Sequence, residues 1–284
     1  MAVLDPQAQA LLQQVEEDTH SGASQLALTT LRQLHRYVAE QPAAIQGLEP
    51  LLAALTKARP SMVVIGNSVD RLQRALAENL QSAESAIQAL IIELESATSQ
   101  LIAHARALVQ HGNTILTHSA SSVVLQCLTE LARDGVEFSV ICTQSSPGFE
   151  GHGLATALAH QGVPVTLITD AQVGLFMPRA DLVFTGCDCW LADHHFINKS
   201  GTLLVALAAR HAGTPFWVLA DTFRDSPETV NSIQLEEMPA DELQGPAETG
   251  ITVRNIYFEP VPDSLVTGRV SEQGVFSFPA GPGR

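Results

Sequence analysis

From residue 113 onward, short runs rich in β-branched and aromatic residues alternate with helical stretches, and this alternation limits the fold more than any other feature of the chain. Strands separated by one helix each imply right-handed crossovers and a mainly parallel sheet. The residue patterns predict five such strands, at Thr114–Thr117, 137–143, 163–169, 181–185 and 216–220.

Residues 1–112 carry apolar residues at helical spacing instead. Asp5-Pro6 is an N-cap followed by proline at the first helical position, so a helix is predicted to begin there. A third helix is predicted from Leu51 to about Ala58, ended by Arg59-Pro60. The longest pattern runs from about Ser82 to Gln110. The sequence therefore predicts a helical N-terminal domain, residues 1–112, followed by an α/β domain, residues 113–284.

The composition narrows the classes of partner and compartment. The 284 residues carry a formal net charge of −15, so nucleic acid is an unfavourable ligand. The four cysteines form no CxxC pair, which fits a reducing cytoplasm. No apolar run is long enough to span a membrane, and residues 225–250, polar and acidic, are expected to be a surface excursion.

Ligands of an open parallel sheet bind beyond the carboxyl ends of its strands. Small hydroxyl residues at a strand-to-helix turn expose backbone N–H groups that can bind an anion. Asp188 follows the fourth strand, and Lys199 precedes a helix start, where it suits a phosphate. The other candidates follow the first two strands: His118, Ser119, Ser121, Ser122, Ser145 and Gly151.

Several of these candidates also have a structural interpretation. Ser119, Ser121, Ser122 and Asp188 could be helix caps, Lys199 an ordinary surface lysine, and His118 a polar residue packed under the loop. Cys187 and Cys189, with His194 and His195 nearby, could suggest zinc. The two thiols of a CxC on a strand end point apart, however, so no metal and no other cofactor is expected.

The run 115–122, ILTHSASS, resembles the family that joins the alpha, beta and delta subunits of translation initiation factor 2B to the sugar-phosphate isomerases. So do PGFEG at 147–151, Gly186-Cys187-Asp188 and INKSGT at 197–202. The resemblance implies a Rossmann-like second domain and dimers built through it. Its enzymes, ribose-1,5-bisphosphate isomerase and 5-methylthioribose-1-phosphate isomerase, imply that Asp188 transfers protons and that Asn198 and Lys199 hold the substrate.

Two departures from the family pattern bear on activity. Ser119 stands where the isomerases carry a catalytic cysteine, and a hydroxyl is a far weaker acid than a thiol. Ser146 stands where they carry an arginine, which removes a phosphate clamp. His118 or Cys187 could supply the missing acid.

Three functions therefore stay open. The first is binding of a phosphorylated sugar or nucleotide with weak or absent isomerase chemistry, in a protein that forms a homodimer or a higher homo-oligomer. In that case Asp188, Ser119 and His118 carry any chemistry, and Ser121, Ser122, Ser145, Gly151, Asn198 and Lys199 hold the ligand. The second is a true aldose–ketose isomerase. The third is an assembly or regulatory subunit without a small-molecule ligand.

Overall fold

The computed structural model describes residues 4–18, 22–40, 45–59, 63–78 and 82–279. The N-terminal part is helical, as predicted. Its helices are α1 (Pro6–Glu17), α2 (Ala23–Glu40), α3 (Ile45–Ala58), α4 (Val63–Glu78) and α5 (Ala83–Arg106).

Local sequence accounts for where several of these helices begin. The Asp5 carboxylate caps α1 by accepting hydrogen bonds from the backbone N–H groups of Gln7 and Ala8, and Ser82 caps α5. The predicted start of α3 is wrong, since the helix already contains Pro50. Pro60, given as the stop after α3, lies outside the described residues.

Ten strands follow in the part of the chain that the structure describes. They are β1 (Thr114–Thr117), β2 (Ser139–Thr143), β3 (Val165–Ile168), β4 (Leu182–Thr185), β5 (Cys189–Trp190), β6 (His195–Lys199), β7 (Phe216–Leu219), β8 (Phe258–Pro262), β9 (Gly268–Ser271) and β10 (Gly274–Ser277). The helices among them are α6 (Ser122–Arg133), α7 (Glu150–His160), α8 (Val173–Phe176) and α9 (Thr202–Ala212).

The main sheet has the strand order β10-β9-β7-β4-β1-β2-β3. All its neighbours are parallel except β9 and β10, so the prediction of a mainly parallel sheet in an α/β fold is confirmed. α6 and α7 pack on one face with the C-terminal part of α5, and α8 and α9 contribute to the core on the other face. From β1 the chain builds outward through β2 and β3, then returns to β4 on the opposite side of β1.

A second, antiparallel sheet of β5, β6 and β8 was not predicted. It lies against the helical part, because Cys189, Ile197 and Phe258 belong to the same buried cluster as the apolar residues of α1–α5. The N-terminal helices therefore share a core with the second sheet, and the C-terminal part of α5 packs on the main sheet. The division at residue 112 falls between the end of α5 and the start of β1, and stays a prediction.

Candidate functional site

A cavity of about 810 Å³ opens at the carboxyl ends of β1 and β4. These are the neighbouring strands between which the strand order reverses, the position where open α/β sheets bind ligands. Seven of the nine residues predicted for the site line this cavity: His118, Ser119, Ser121, Ser122, Asp188, Asn198 and Lys199. Ser145 and Gly151 are not among its lining residues.

The N-terminus of α6 forms one wall of the cavity. Residues 119–122 line it, and the Ser121 hydroxyl caps the helix by accepting from the backbone N–H of Val124 at 3.4 Å. Gly186, directly after β4, lets this turn approach closely, since a Cβ there would lie 2.5 Å from Ser121 Oγ. The cap interpretation of Ser121 is thus correct, and a capped helix start facing a cavity can still bind an anion.

Left-handed backbone recurs in the two loops beside this wall. Ser119, Ser145 and Phe149 have φ values of 65°, 62° and 56°. Side chains other than glycine rarely adopt such angles, and strained residues of this kind cluster at functional sites. The loops are held by a hydrogen bond from the Ser119 N–H to Ser145 Oγ at 2.8 Å, and by the Asp170 carboxylate, which accepts from the N–H groups of Ser145 and Ser146.

Asp188 lines the cavity from the segment that joins β4 to β5. Burial raises the pKa of its carboxyl group from 3.8 to about 7, while the nearby positive charges of Arg224 and Lys199 oppose the rise. A carboxyl group with a pKa near 7 can both accept and release a proton at neutral pH. Asp188 therefore has the chemistry of an acid–base residue.

Arg224 fixes the segment that carries Asp188. Its guanidinium is buried and donates hydrogen bonds to the Cys187 carbonyl, the Asp221 carboxylate and the Ser24 hydroxyl. The Asp221 carboxylate neutralises the charge, so Arg224 is mainly a structural cation at the cavity wall.

Lys199 reaches the cavity at the end of β6, and its side chain is only 4% exposed. The interpretation as a surface lysine is therefore wrong. Its ammonium group donates a hydrogen bond of 2.6 Å to Glu150 Oε1 and lies 3.4 Å from the centre of the Tyr257 ring. Asn198, beside it, donates to the Thr202 hydroxyl at 2.9 Å.

His118 is buried, and both of its ring nitrogens are engaged. Nε2 lies 3.0 Å from the Ser200 carbonyl oxygen, and Nδ1 lies 2.7 Å from Thr143 Oγ1. A carbonyl oxygen only accepts, so Nε2 carries the hydrogen and Nδ1 accepts from Thr143. Burial lowers the pKa of the imidazole. The structure thus favours the interpretation of His118 as a polar residue packed under the loop, over that of a proton donor.

Ser145 and Gly151 support the loops around the cavity and are not among its lining residues, and their contact with a ligand stays a prediction. Ser145 is fully buried and holds the Ser119 backbone. Gly151 lets α7 pack onto the end of β2, since a Cβ there would lie 1.8 Å from the Thr143 carbonyl oxygen. Cys187, the other suggested acid, lines the cavity, but burial raises the pKa of its thiol well above the ordinary value and so makes it a poor proton donor.

The sequence did not predict that residues of the segment before β8 line the cavity. Glu236, Met238 and Glu242 line it, although residues 225–250 were expected to be a surface excursion. The Tyr257 hydroxyl donates to Glu242, and the Tyr257 N–H donates to the Glu236 carbonyl at 3.3 Å. Arg59 reaches the cavity from the end of α3, 3.5 Å from the Glu236 carboxylate. In the sequence, only the end of the strand–helix alternation after residue 224 indicated that this segment has a different role.

The described residues contain no helix both long and apolar enough to cross a membrane.

Comparisons with known proteins point to one family. The model of the initiation factor 2 subunit family matches residues 9–278. The chain is 35% identical over 182 residues to the translation initiation factor eIF-2B subunit 2-like protein of Pyrococcus furiosus, and that match spans 64% of each chain. It is 31% identical over 229 residues to the ribose 1,5-bisphosphate isomerase of Archaeoglobus fulgidus, covering 78% of this chain and 73% of the isomerase.

A solved structure extends the likeness to nearly the whole fold. The translation initiation factor eIF-2B of Pyrococcus horikoshii superposes with a TM-score of 0.84 at 28% identity, over 97% of this chain and 98% of that one.

Proposed function

Since the chain belongs to the initiation factor 2 subunit family, we propose that it binds a phosphorylated sugar or nucleotide in the cavity beyond β1 and β4, with weak or absent isomerase chemistry. The observation that carries this proposal is the convergence of seven predicted residues on one cavity at the reversal of strand order. The likeness to the A. fulgidus isomerase supports a sugar phosphate as the ligand class.

The phosphate sits against the N-terminus of α6 in this proposal. The backbone N–H groups of the first turn lack partners within the helix, and the helix dipole favours negative charge there. The hydroxyl groups of Ser119, Ser121 and Ser122 add donors on the same wall. Asn198 and Lys199, at the end of β6, contact the rest of the ligand.

Weak chemistry follows from the shortage of a second acid. Ser119 offers a hydroxyl, which releases its proton far less readily than a thiol. Both ring nitrogens of His118 are hydrogen-bonded, one to Thr143 and the other to Ser200. Asp188 is therefore the single group in this set whose acid–base properties suit proton transfer at neutral pH.

A second candidate, aldose–ketose isomerisation, is favoured by the pKa of Asp188, about 7. In a 1-phosphorylated aldose the bond between C1 and the ring oxygen breaks as Asp188 removes the proton from C2. The ring oxygen takes up a proton, Asp188 returns its proton to C1, and the C2 hydroxyl loses its proton to leave the ketone. Exchange of the sugar C–H in deuterated water, followed by proton NMR, detects the step. Loss of exchange in Asp188→Asn is expected; exchange at the unchanged rate would contradict the role of Asp188.

We also propose that the protein forms a homodimer through its α/β part. Leu175 on α8 and Leu204 and Leu207 on α9 are 66%, 61% and 47% exposed, so two neighbouring helices present apolar surface to solvent. Light scattering at micromolar concentration tests the assembly, and a monomer mass would contradict it.

Calorimetric titration tests the ligand class directly. Ribose 5-phosphate, ribose 1-phosphate and AMP are titrated into the protein and into Lys199→Ala, in which Glu150 loses its counter-ion and a carboxylate faces the ligand unpaired. Lys199→Ala is expected to weaken binding by roughly ten- to a hundredfold. Lys57→Ala, at an exposed position on α3, is the matched control. No binding of any phosphorylated compound would instead favour an assembly subunit.

A further inference from the structure

The contact between Glu150 and Lys199 neutralises the one lysine in the cavity. Glu150, at the start of α7, accepts a hydrogen bond of 2.6 Å from Lys199 Nζ. The absence of a side chain at Gly148 makes room for this carboxylate, because a Cβ at residue 148 would lie 2.7 Å from Glu150 Oε1. The Tyr257 ring covers the ammonium group from another side. The carboxylate thus occupies the position at Lys199 that an anionic ligand group would take.

The other charges nearby give no compensation. Glu242 lines the same cavity and accepts hydrogen bonds from Tyr257 and Asn255. Among the described lining residues, Arg59 and Arg224 already face the carboxylates of Glu236 and Asp221. A second phosphate near Lys199 would therefore meet the carboxylates of Glu150 and Glu242 with no unpaired cation to offset them.

The unsatisfied hydrogen bonding of Glu150 indicates which ligand group fits beside it. Glu150 Oε2 is buried and has no hydrogen-bond partner in the described part of the chain. A carboxylate oxygen only accepts, so it needs a donor. The Glu150 side chain is 29% exposed and lines the cavity, so a sugar hydroxyl can donate to its carboxylate there, whereas a fully ionised phosphate supplies only acceptors.

We propose that Glu150 is a specificity-determining residue that turns the Lys199 side of the cavity into a hydroxyl subsite, so that the ligand carries one phosphate and not two. This inference rests on the proposed function, because it takes the single phosphate to sit at α6. The ligand class it names is a sugar monophosphate, which distinguishes this chain from a relative named for a bisphosphate substrate.

The test compares ligands that differ by one phosphate. Ribose 5-phosphate, ribose 1-phosphate and ribose 1,5-bisphosphate are titrated by calorimetry into the wild type and into Glu150→Gln. The amide keeps the shape and an acceptor for Lys199 but removes the charge. The wild type is expected to bind a monophosphate at least as tightly as the bisphosphate. In Glu150→Gln the ratio is expected to shift toward the bisphosphate by at least about tenfold.

A surface control separates local from general charge effects. Glu237→Gln removes the same charge from an exposed carboxylate that pairs with Arg254 outside the cavity, and should leave the ratio unchanged. A wild type that prefers the bisphosphate by tenfold, or a ratio that Glu150→Gln moves less than about threefold, overturns the inference while the proposed function stands. Failure of all three compounds, and of AMP, to bind either protein overturns both.

Discussion

Replacement of Asp188 by asparagine should change how the stability of the protein depends on pH. The pKa of the carboxyl group rises from 3.8 to about 7, chiefly because burial disfavours the charged form. A rise of that size corresponds to about 4 kcal/mol of differential interaction between the two protonation states. Asparagine has a similar shape and never ionises, so it isolates this contribution.

The sign follows from where the proton is bound. Between about pH 4 and pH 7 the folded chain keeps a proton on Asp188 that the unfolded chain has released. The stabilisation from this proton is therefore present at low pH and is lost as pH rises through 7. From pH 5 to pH 8 the wild type should lose about 2.5 kcal/mol through this group, and Asp188→Asn should not.

Urea unfolding at pH 5, 6, 7 and 8 measures the effect as the difference in unfolding free energy between the two proteins. That difference should move in favour of Asp188→Asn by about 2.5 kcal/mol across the range. Asp70→Asn, at an exposed position on α4, controls for loss of a surface carboxyl. A difference that stays constant within about 0.5 kcal/mol would refute the assignment of a raised pKa to Asp188.

Two further substitutions test the loops around the cavity. Gly151→Ala should lower the unfolding free energy by about 1–3 kcal/mol, because its Cβ would overlap the Thr143 carbonyl oxygen; Gly153→Ala on the same helix meets nothing within 4 Å and should not. Equal urea midpoints for the two variants would contradict this packing. Ser119→Cys should raise turnover of a 1-phosphorylated aldose, since a thiol gives up its proton more readily than a hydroxyl. Proton NMR measures the turnover of Ser119→Cys and of Ser119→Ala. Equal rates in the two variants would rule out position 119 as the place of the missing acid.

The main sheet could be predicted because each of its central strands is marked by residues that are adjacent in the sequence. Each of β1, β2, β3, β4 and β7 is a short apolar run that the next helix separates from its neighbour, and the rule for strand ends then locates the ligand cavity. Asp188 and the serines of the α6 turn are found by that rule alone.

The missing parts depend on contacts between distant residues. β6 pairs with β8 about sixty residues later, and His195–Lys199 has little strand signal of its own. The acidic segment before β8 reads as surface by composition, yet hydrogen bonds to Tyr257 and Asn255 bring Glu236, Met238 and Glu242 to the cavity. The pairing of Lys199 with Glu150 is likewise invisible in sequence, because the two are 49 residues apart.

The planar head of Arg224 ties three remote pieces of chain to one rigid plane: α2 through Ser24, the carbonyl just before Asp188, and Asp221 after β7. Such a fork tolerates little rotation, since its donors are fixed relative to one another. The position of α2 and that of the peptide just before Asp188 are therefore set by the same side chain. The helical part and the segment that carries Asp188 are thereby joined through one buried guanidinium beside the cavity.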